Sequence, residues 1–396
     1  MTIAKDDIPH VGPGTAGGAW LRRYWLPVGL ESELFDIPKA LKVLDEELVL
    51  FRDSQGNVGL VGQYCAHRGA SLEYGDVEER GLRCPYHGWL FDVNGNCLEQ
   101  PSEKRGKEFC AKVRHTSYPV RELGGLFFAY MGPNPATPPP LPNYSPLVDH
   151  GGIRQIEPTR HFNYNWFNFY ENSADPVHVW ILHGSSAYGE QSWGNRFFST
   201  DDPPNFEPVD MPYGMKIVMS KNTGDSVIVD EMSLGFPSIL QVGDTEFVHG
   251  KADPKKLMNS GSDIEHFMFI TPNDDHHFMM FTVDYYTGPD PNFFTHLTEM
   301  RKREEPKEVL KFYDTRPLMP FRGNVRREDI VTQGTQKLLG ERREHLGTSD
   351  RGVIMLRKMV LESIKAVAEG GDPKGLNLKE DSNGLVKLDS FVGIRN

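Results

Sequence analysis

The sequence predicts an α+β protein in which a small antiparallel β domain is followed by a larger antiparallel sheet flanked by helices. Apolar and charged residues alternate in segments between 25 and 52 and again between 112 and 131, the period-two pattern of half-buried strands. The alternation returns in longer runs from 207 to 290, which suit a second antiparallel sheet. Helical patterns precede and follow this second sheet. We therefore expect two domains with separate roles.

A proline-rich stretch marks the expected domain boundary. Proline fixes its own φ angle and lacks an N–H, so a dense run of prolines forms neither helix nor central strand and behaves as a stiff linker. The predicted division is an N-terminal segment 1–24, a first domain 25–133, a linker 134–143 and a second domain 144–396.

Composition limits the function classes. A chain of 396 residues with a net charge of -12 disfavours nucleic acid and anionic membranes as partners, because both attract basic surfaces. No apolar run has the length of a signal peptide core or a membrane span, so we expect a cytoplasmic protein. The four cysteines are too few to cross-link a chain of this length, and Cys97 and Cys110 are expected to be free thiols.

Two short loops in the first domain carry one cysteine and one histidine each, as Cys65-x-His67 and Cys84-x2-His87. A single zinc ion can accept two cysteines and two histidines, but zinc fingers place the cysteines in one pair and the histidines in the other. Mixed pairs suit a two-iron cluster in which one iron takes both thiolates and the other takes both imidazoles. Such a cluster has a higher potential than an all-cysteine one and accepts electrons readily.

These loops resemble the Rieske domain of Rieske non-haem iron oxygenases, within them the terminal oxygenase alpha subunits of the phthalate-dioxygenase-like group. The resemblance includes the neighbours that the family carries beside its histidines, Arg68-Gly69 and Gly88-Trp89. It implies one Rieske [2Fe–2S] cluster held by Cys65, His67, Cys84 and His87. It also implies a helix-grip-like catalytic domain that holds one mononuclear non-haem Fe(II).

A second chemical motif opens the second domain. Asp175 and His178 are three residues apart and share a helix face, whereas His183 lies about 140° further round an ideal helix. Pro176 and Gly184 make a distorted helix plausible there. Two imidazoles and a carboxylate would hold Fe(II) and leave positions for dioxygen and substrate. Taken alone, such a histidine pair is more often packing or surface.

Here too the resemblance assigns roles residue by residue. His178 and His183 map to iron ligands, and Asp175 maps to the carboxylate that links an iron ligand to His87 or His67 of the partner subunit. Asn172 matches a polar position near the iron, but it could equally be an amide on the helix surface. The third ligand is expected at Asp329, in a segment that resembles the family's late Glu-Asp helix, with Glu328 as second choice and Asp314 as a distant third.

Other polar and helical segments receive structural interpretations. The charge runs Arg301–Glu305 and Glu341–Glu344 are expected to be solvated helix faces. Four histidines of the second sheet are expected to be packing or surface residues: His249, His266, His276 and His277. One face of a predicted final helix is apolar and should pack: Val353, Leu356, Val360, Ile364 and Val367.

The resemblance implies a terminal oxygenase that inserts oxygen from O2 into an aromatic, carboxylated substrate. An oxidative O- or N-demethylase would use the same iron ligands, and a Rieske electron carrier is a third alternative. The sequence has no GxGxxG fingerprint after a strand, so NAD(P)H is expected to be oxidised by a separate flavin and ferredoxin-type reductase. Head-to-tail subunits are expected to form a trimer or a hexamer of trimers. Candidate cations for a substrate carboxylate are Arg160, Arg196 and Lys216.

Overall fold

The computed structural model describes residues 3–183, 203–222, 227–243, 263–296, 298 and 325–395. Before the proline-rich stretch the described strands are β1 (Trp25–Leu30), β2 (Lys39–Val43), β3 (Glu46–Arg52), β4 (Val58–Gly62), β5 (Asp76–Glu78), β6 (Gly81–Arg83), β7 (Leu90–Phe91), β8 (Cys97–Glu99), β9 (Ser117–Tyr118), β10 (Val120–Leu123) and β11 (Leu126–Tyr130). After it they are β12 (Ile153–Ile156), β13 (Arg160–Phe162), β14 (Asn205–Met211), β15 (Gly214–Asn222), β16 (Val227–Gly235), β17 (Ile239–Gly243), β18 (Ile264–Asp274), β19 (His277–Tyr286) and β20 (Phe391–Arg395).

The described α-helices are α1 (Ala16–Leu21), α2 (Lys107–Cys110), α3 (Ser145–Val148), α4 (Trp166–Asn172), α5 (Pro176–Leu182), α6 (Val325–Gly334) and α7 (Arg351–Ala368). Helices α4 and α7 pack on the larger sheet and on each other, and α6 packs on α4. Within the described ranges, no helix combines the length and apolar character needed to cross a membrane.

The first part of the chain forms three small antiparallel sheets. Their strand orders are β2-β3-β4-β9, β5-β6-β7-β8 and β1-β11-β10. The second part forms one nine-stranded sheet in the order β12-β19-β18-β17-β16-β15-β14, with β13 also paired to β19 and β20 to β16. The predicted α+β class with two antiparallel parts is confirmed. The predicted strand around His249 lies outside the described residues.

One apolar core runs through both parts. Phe128 of β11 packs edge-to-face on Phe269 of β18, with ring centroids 5.4 Å apart. The hydroxyl of Thr271 in β18 donates a hydrogen bond of 2.7 Å to the carbonyl of Pro27 in β1. The two parts are therefore joined by buried side chains as well as by the proline-rich stretch, and the predicted domain boundaries stay a prediction.

The N-terminal segment also belongs to this core. Trp20 of α1 is fully buried, and its ring lies 6.3 Å from that of Trp166 in α4. The side chain of Asn165 donates a hydrogen bond of 3.0 Å to the carbonyl of Pro9. Residues 3–24 thus pack on the second part of the chain, although their sequence is polar and rich in glycine.

The final helix packs as expected. In α7 the side chains of Leu356, Val360 and Ile364 are fully buried, while Ile354 on the opposite face is 45% exposed. The apolar stripe at helical spacing therefore faces the core.

The interpretation of Glu341–Glu344 as a solvated helix face is wrong for Arg342 and Glu344, whereas Glu341 and Arg343 are exposed as expected. Glu171 of α4 accepts hydrogen bonds from Arg342 and from Arg357 of α7, and the Arg357 guanidinium pairs with Glu344 at 2.8 Å. The side chains of Arg342 and Glu344 are only 12% and 17% exposed. These two charged side chains can be largely shielded from solvent because Arg342 pairs with Glu171 and Glu344 pairs with Arg357. The run Arg301–Glu305 lies outside the described residues.

Candidate metal centres

A break between α4 and α5 positions the motif at 172–183. Helix α4 ends at Asn172, and Asp175 is the N-cap of α5, where its carboxylate accepts a hydrogen bond of 3.0 Å from the N–H of Val177. Pro176 occupies the first turn of α5, where a missing N–H is tolerated. His178 lies in this turn and His183 is the C-cap, so the two imidazoles sit at opposite ends of one short helix.

The second histidine converges on the first and on Asp329 of α6. Ligand atoms of His178, His183 and Asp329 all lie within 4.8 Å of one another. Nε2 of His183 lies 3.3 Å and Nε2 of His178 lies 3.9 Å from the Oδ1 atom of Asp329. Two imidazole nitrogens and one carboxylate oxygen fit the facial donor set of a non-haem Fe(II) centre, which leaves further coordination positions open.

The Nδ1 atoms of both histidines have partners on the side away from Asp329. Nδ1 of His178 hydrogen-bonds the backbone carbonyl of Asp175, and Nδ1 of His183 lies 2.8 Å from the carboxylate of Glu328. Donation from Nδ1–H fixes the tautomer in which Nε2 carries a free lone pair. Both rings therefore present their Nε2 lone pairs to the same point.

Glu328, the second choice for the third metal ligand, does not lie on the ligand side of His183. Its side chain is fully buried behind His183, whereas the neighbouring Asp329 faces both Nε2 atoms. The adjacent acidic residues thus reach opposite sides of one imidazole. Sequence reasoning missed this contact; the adjacency of two carboxylates in a late helix was the available signal. Asp314, the third choice, lies outside the described residues.

Burial and charge oppose each other at this site. Burial lowers the pKa of His178, and the nearby Asp329 carboxylate offsets only part of that effect. For His183 burial also disfavours the charged form, but hydrogen bonds and charge from Asp329 and Glu328 outweigh it and raise the pKa. Burial raises the pKa of the Asp175 carboxyl, although neighbouring His178 lowers it.

Asn172 lies at the edge of the same group. Its amide nitrogen is 3.1 Å from Nε2 of His178 and 3.5 Å from Oδ1 of Asp329. The sequence left open whether this residue was an exposed amide on a helix. The structure places it beside the two candidate ligands.

The loops at 65 and 84 have matching backbone turns. The N–H of Gly69 donates to the carbonyl of Cys65 at 2.9 Å, and the N–H of Gly88 donates to the carbonyl of Cys84 at 3.1 Å. Both glycines have positive φ, 73° and 71°, a conformation that side chains with a Cβ rarely adopt. Each turn brings one thiol and one imidazole to the same place.

The four side chains of these loops form a compact donor set. The two thiols are 3% and 2% exposed, and the rings of His67 and His87 have centroids 4.6 Å apart. Burial, with the adjacent Cys84 thiol, raises the pKa of the Cys65 thiol to about 11. The Nδ1 atom of His67 is buried with no hydrogen-bond partner among the described residues. Buried thiols beside an unpartnered imidazole nitrogen fit a [2Fe–2S] cluster, which takes thiolates and neutral imidazoles.

Trp89 covers one side of this donor set. Its ring stacks on His67 with centroids 4.4 Å apart and an interplanar angle of 8°. Cys97 and Cys110 are free and buried nearby, with their sulfur atoms 2.9 Å apart. The sequence identified Trp89 as part of the motif but gave no sign of this stacking.

The other candidate histidines and cations singled out in the sequence form ion pairs or lie on the surface where they are described. His266 pairs with buried Asp284 at 2.6 Å, and His276 and His277 are exposed. Arg160 pairs with Glu157, and Lys216 pairs with Glu231 at 3.3 Å and with Asp389 at 3.7 Å. His249 and Arg196 lie outside the described residues.

The first part of the chain has a cysteine–histidine site that fits an iron–sulfur cluster. The second part has a site of two histidines and one carboxylate. Together these two sites define an iron oxygenase with its own iron–sulfur domain. Comparison with known proteins agrees: residues 24–119 match the Rieske [2Fe-2S] domain family. The chain belongs to the Rieske non-haem iron oxygenases and is the terminal oxygenase component of such a system. It uses a Rieske [2Fe–2S] cluster and a mononuclear non-haem iron.

Three relatives match nearly the whole chain. The tert-butanol monooxygenase / tert-amyl alcohol desaturase oxygenase subunit of Aquincola tertiaricarbonis is 36% identical, over 95% of this chain and 79% of its own. Phenoxybenzoate dioxygenase subunit alpha of Ectopseudomonas oleovorans is 35% identical, over 96% and 89%. The 5,5'-dehydrodivanillate O-demethylase oxygenase subunit of a Sphingobium strain is 33% identical, over 94% and 82%.

The fold is also that of solved oxygenases. The crystal structure of dicamba monooxygenase bound to dicamba superposes with a TM-score of 0.65, covering 88% of this chain and 99% of that one at 19% sequence identity. At this identity the likeness shows the fold alone.

Proposed function

We propose that this oxygenase inserts oxygen from O2 into a carboxylated aromatic substrate at a centre held by His178, His183 and Asp329. The observation that carries the proposal is the convergence of these three side chains within 4.8 Å from two helices far apart in the sequence. The substrate class is supported by relatives named for phenoxybenzoate and dehydrodivanillate, which are aromatic carboxylates.

The two sites divide the chemistry. Cys65 and Cys84 would hold one iron of a bound [2Fe–2S] cluster, and His67 and His87 would hold the other. When bound, the cluster supplies electrons singly and the mononuclear iron supplies the site of dioxygen activation. The protein keeps the imidazoles in one tautomer through Glu328 and the carbonyl of Asp175, and Asn172 offers an amide to the same space.

Asp175 is proposed to connect two subunits. In a head-to-tail trimer, or a hexamer of trimers, its carboxylate would link His178 to His87 or His67 of the partner subunit. The carboxylate is a short distance along the chain from His178 and only partly buried, so it is available to such a partner. Electrons from NAD(P)H would reach the cluster from a separate reductase with flavin and ferredoxin-type centres.

The substrate carboxylate needs a cation. Arg160 and Lys216 already have acidic partners, as their ion pairs with Glu157 and Glu231 show, so they are poor choices. The third candidate from the sequence, Arg196, lies outside the described residues.

Oxidative O-demethylation is the second candidate, because one relative that matches most of the chain is an O-demethylase oxygenase subunit. The same iron ligands would serve both reactions. The deciding experiment is a single turnover of the chemically reduced protein with O2 and a panel of aromatic acids and their methoxylated analogues. A diol or phenol product without formaldehyde supports hydroxylation, and formaldehyde supports demethylation. Absence of any oxygenated product from protein loaded with both iron centres would contradict the proposal.

A further inference from the structure

The segment 103–114, here called the basic ridge, stands out in an acidic protein. The chain carries a net charge of -12, yet this segment contains five cations and only two carboxylates. All five cations are exposed: Lys104, Arg105, Lys107, Lys112 and Arg114. Arg105 pairs with Glu103 at 3.4 Å, and the structure gives the other four no ion pair with a described residue.

Exposed lysines elsewhere in the described chain are more often neutralised locally. Lys358 and Lys365 pair with Glu362 and Glu369 one turn along α7, at 3.8 and 3.9 Å. Lys387 pairs with Asp381 at 3.4 Å. The positive charge of the basic ridge therefore remains available to a partner from outside.

A chain of stacked side chains connects the basic ridge to the cluster site. The Arg105 guanidinium lies 4.6 Å from the ring centroid of Phe109 in α2, and Phe109 packs edge-to-face on Trp89 with centroids 6.2 Å apart. Trp89 in turn stacks on His67. Two aromatic rings, those of Phe109 and Trp89, would therefore separate a protein docked at Arg105 from a proposed cluster ligand.

Successive turns hold the ridge in place. The N–H groups of Glu103, Gly106, Cys110 and Val113 each donate to a carbonyl three or four residues earlier in the chain. Cys110 is buried and anchors α2 against the apolar cluster beneath the loops. The cations are thus carried on an ordered surface.

We propose that the basic ridge is the docking surface for an acidic one-electron carrier protein of the ferredoxin type, which reduces the cluster from the Trp89 side. Opposite charge steers the encounter of two proteins and raises the association rate by about 10 to 1,000-fold at low ionic strength. The proposal rests on the proposed function, since only a cluster that receives electrons from outside needs such a surface.

The test measures cluster reduction by stopped-flow bleaching of the cluster absorbance in the intact holoenzyme. The donor is an acidic plant-type [2Fe–2S] ferredoxin kept reduced by its own NADPH-dependent reductase. The test variant carries K104E, K107E and K112E; the control variant carries K358E, K365E and K379E, which change the net charge equally at exposed positions elsewhere. Dithionite, a small reductant, measures cluster reduction without docking.

We expect the second-order rate constant to fall at least about tenfold in the ridge variant at low ionic strength and to lose most of its salt dependence. The control variant should retain both, and dithionite should reduce all three proteins equally. Equal rates in the two variants would overturn the proposal, as would a wild-type protein that the ferredoxin does not reduce. A ridge variant that changes its oligomeric state in size-exclusion chromatography would instead assign the surface to contact between copies of this chain.

Product formation by dithionite-reduced protein separates this proposal from the proposed function. If single turnover fails in the wild type while ferredoxin still reduces the cluster in a ridge-dependent way, the docking surface stands and the oxygenase chemistry is wrong. If single turnover succeeds in the ridge variant, the loss with ferredoxin belongs to docking alone.

Discussion

Asp175 makes two separable contributions at the start of α5. Its carboxylate caps the helix through the N–H of Val177, and its carbonyl orients His178. Asparagine caps helices about as well as aspartate, whereas alanine loses about 1 kcal/mol of stability. The carbonyl is retained in both variants.

We therefore predict that Asp175→Asn keeps near wild-type thermal stability, that Asp175→Ala loses stability, and that both keep their iron and acid-labile sulfide. Both should lose turnover with reductase, because the carboxylate proposed to connect the two sites is gone. Metal analysis, melting curves and coupled assays measure the three properties. Coupled activity near the wild-type rate in either variant would refute this role for Asp175.

Glu328 is expected to set the metal affinity of the neighbouring site. Its carboxylate orients His183, and loss of such an outer partner typically costs about 10 to 100-fold in metal affinity. Glu328→Gln should therefore release mononuclear iron at lower chelator concentration while acid-labile sulfide stays unchanged. The matched control is Glu341→Gln, an exposed residue. Equal iron retention in both variants would show that Glu328 only fills space.

At the scale of residues, spacing made the cluster loops and the histidine pair visible in the sequence. Mixed Cys-x-His and Cys-x2-His pairs predict a two-iron cluster because ligand chemistry restricts the alternatives. Asp329 required resemblance to a family, since no local pattern joins it to His178. The contact of Glu328 with His183 depends on how α6 packs on α4, which spacing does not reveal.

Helices α4 and α7 are held together by the buried charges of Glu171, Arg342, Glu344 and Arg357. Removing one member of a buried ion pair leaves an uncompensated charge and costs about 3–5 kcal/mol. We predict that Arg357→Met lowers the unfolding free energy by no more than about this amount, because Glu171 and Glu344 each lose one cationic partner while Arg342 remains beside both.

The control is Lys358→Met, one residue further along the same helix, where the lysine makes a surface pair with Glu362. Exposed pairs contribute roughly 0–1 kcal/mol, so this change should have little effect. Denaturant midpoints of the two variants provide the measurement. Similar midpoints would mean that water screens the buried charges and that other contacts hold α4 against α7.

The same helices show what sequence patterns can and cannot predict at this scale. The stripe from Val353 to Val367 indicated the buried face of α7 because helical periodicity is local. The charge run at Glu341–Glu344 predicted exposed side chains, which is wrong for Arg342 and Glu344. Their neutralising partners lie in α4 and α7, so burial there depended on tertiary contacts.

For the whole molecule, the two parts are expected to unfold together. The strands β1 and β11 pack directly on β18, as the contact of Phe128 with Phe269 shows. In a heating experiment the cluster absorbance and the far-ultraviolet circular dichroism should therefore be lost over the same temperature interval. An early loss of circular dichroism with an intact cluster spectrum would indicate independent domains.

The proline-rich stretch predicted where the chain passes from one sheet to the next, and the structure contains no helix or strand at 134–143. It could not predict how much apolar surface the two sheets share. That surface is made by residues more than a hundred positions apart, such as Pro27 and Thr271, whose contact no local pattern encodes.

The shared surface limits recombination between relatives. A chimera that takes residues 25–133 from another oxygenase inherits the donor's version of β1 and β11 but keeps this chain's β18, so unmatched side chains would meet where Phe128 and Phe269 interlock. Chimeras made to combine a new cluster domain with this catalytic part should therefore fold more often when Phe128 and Phe269 both come from the same parent. Exchange of only the loops from 63 to 115 should also preserve this contact.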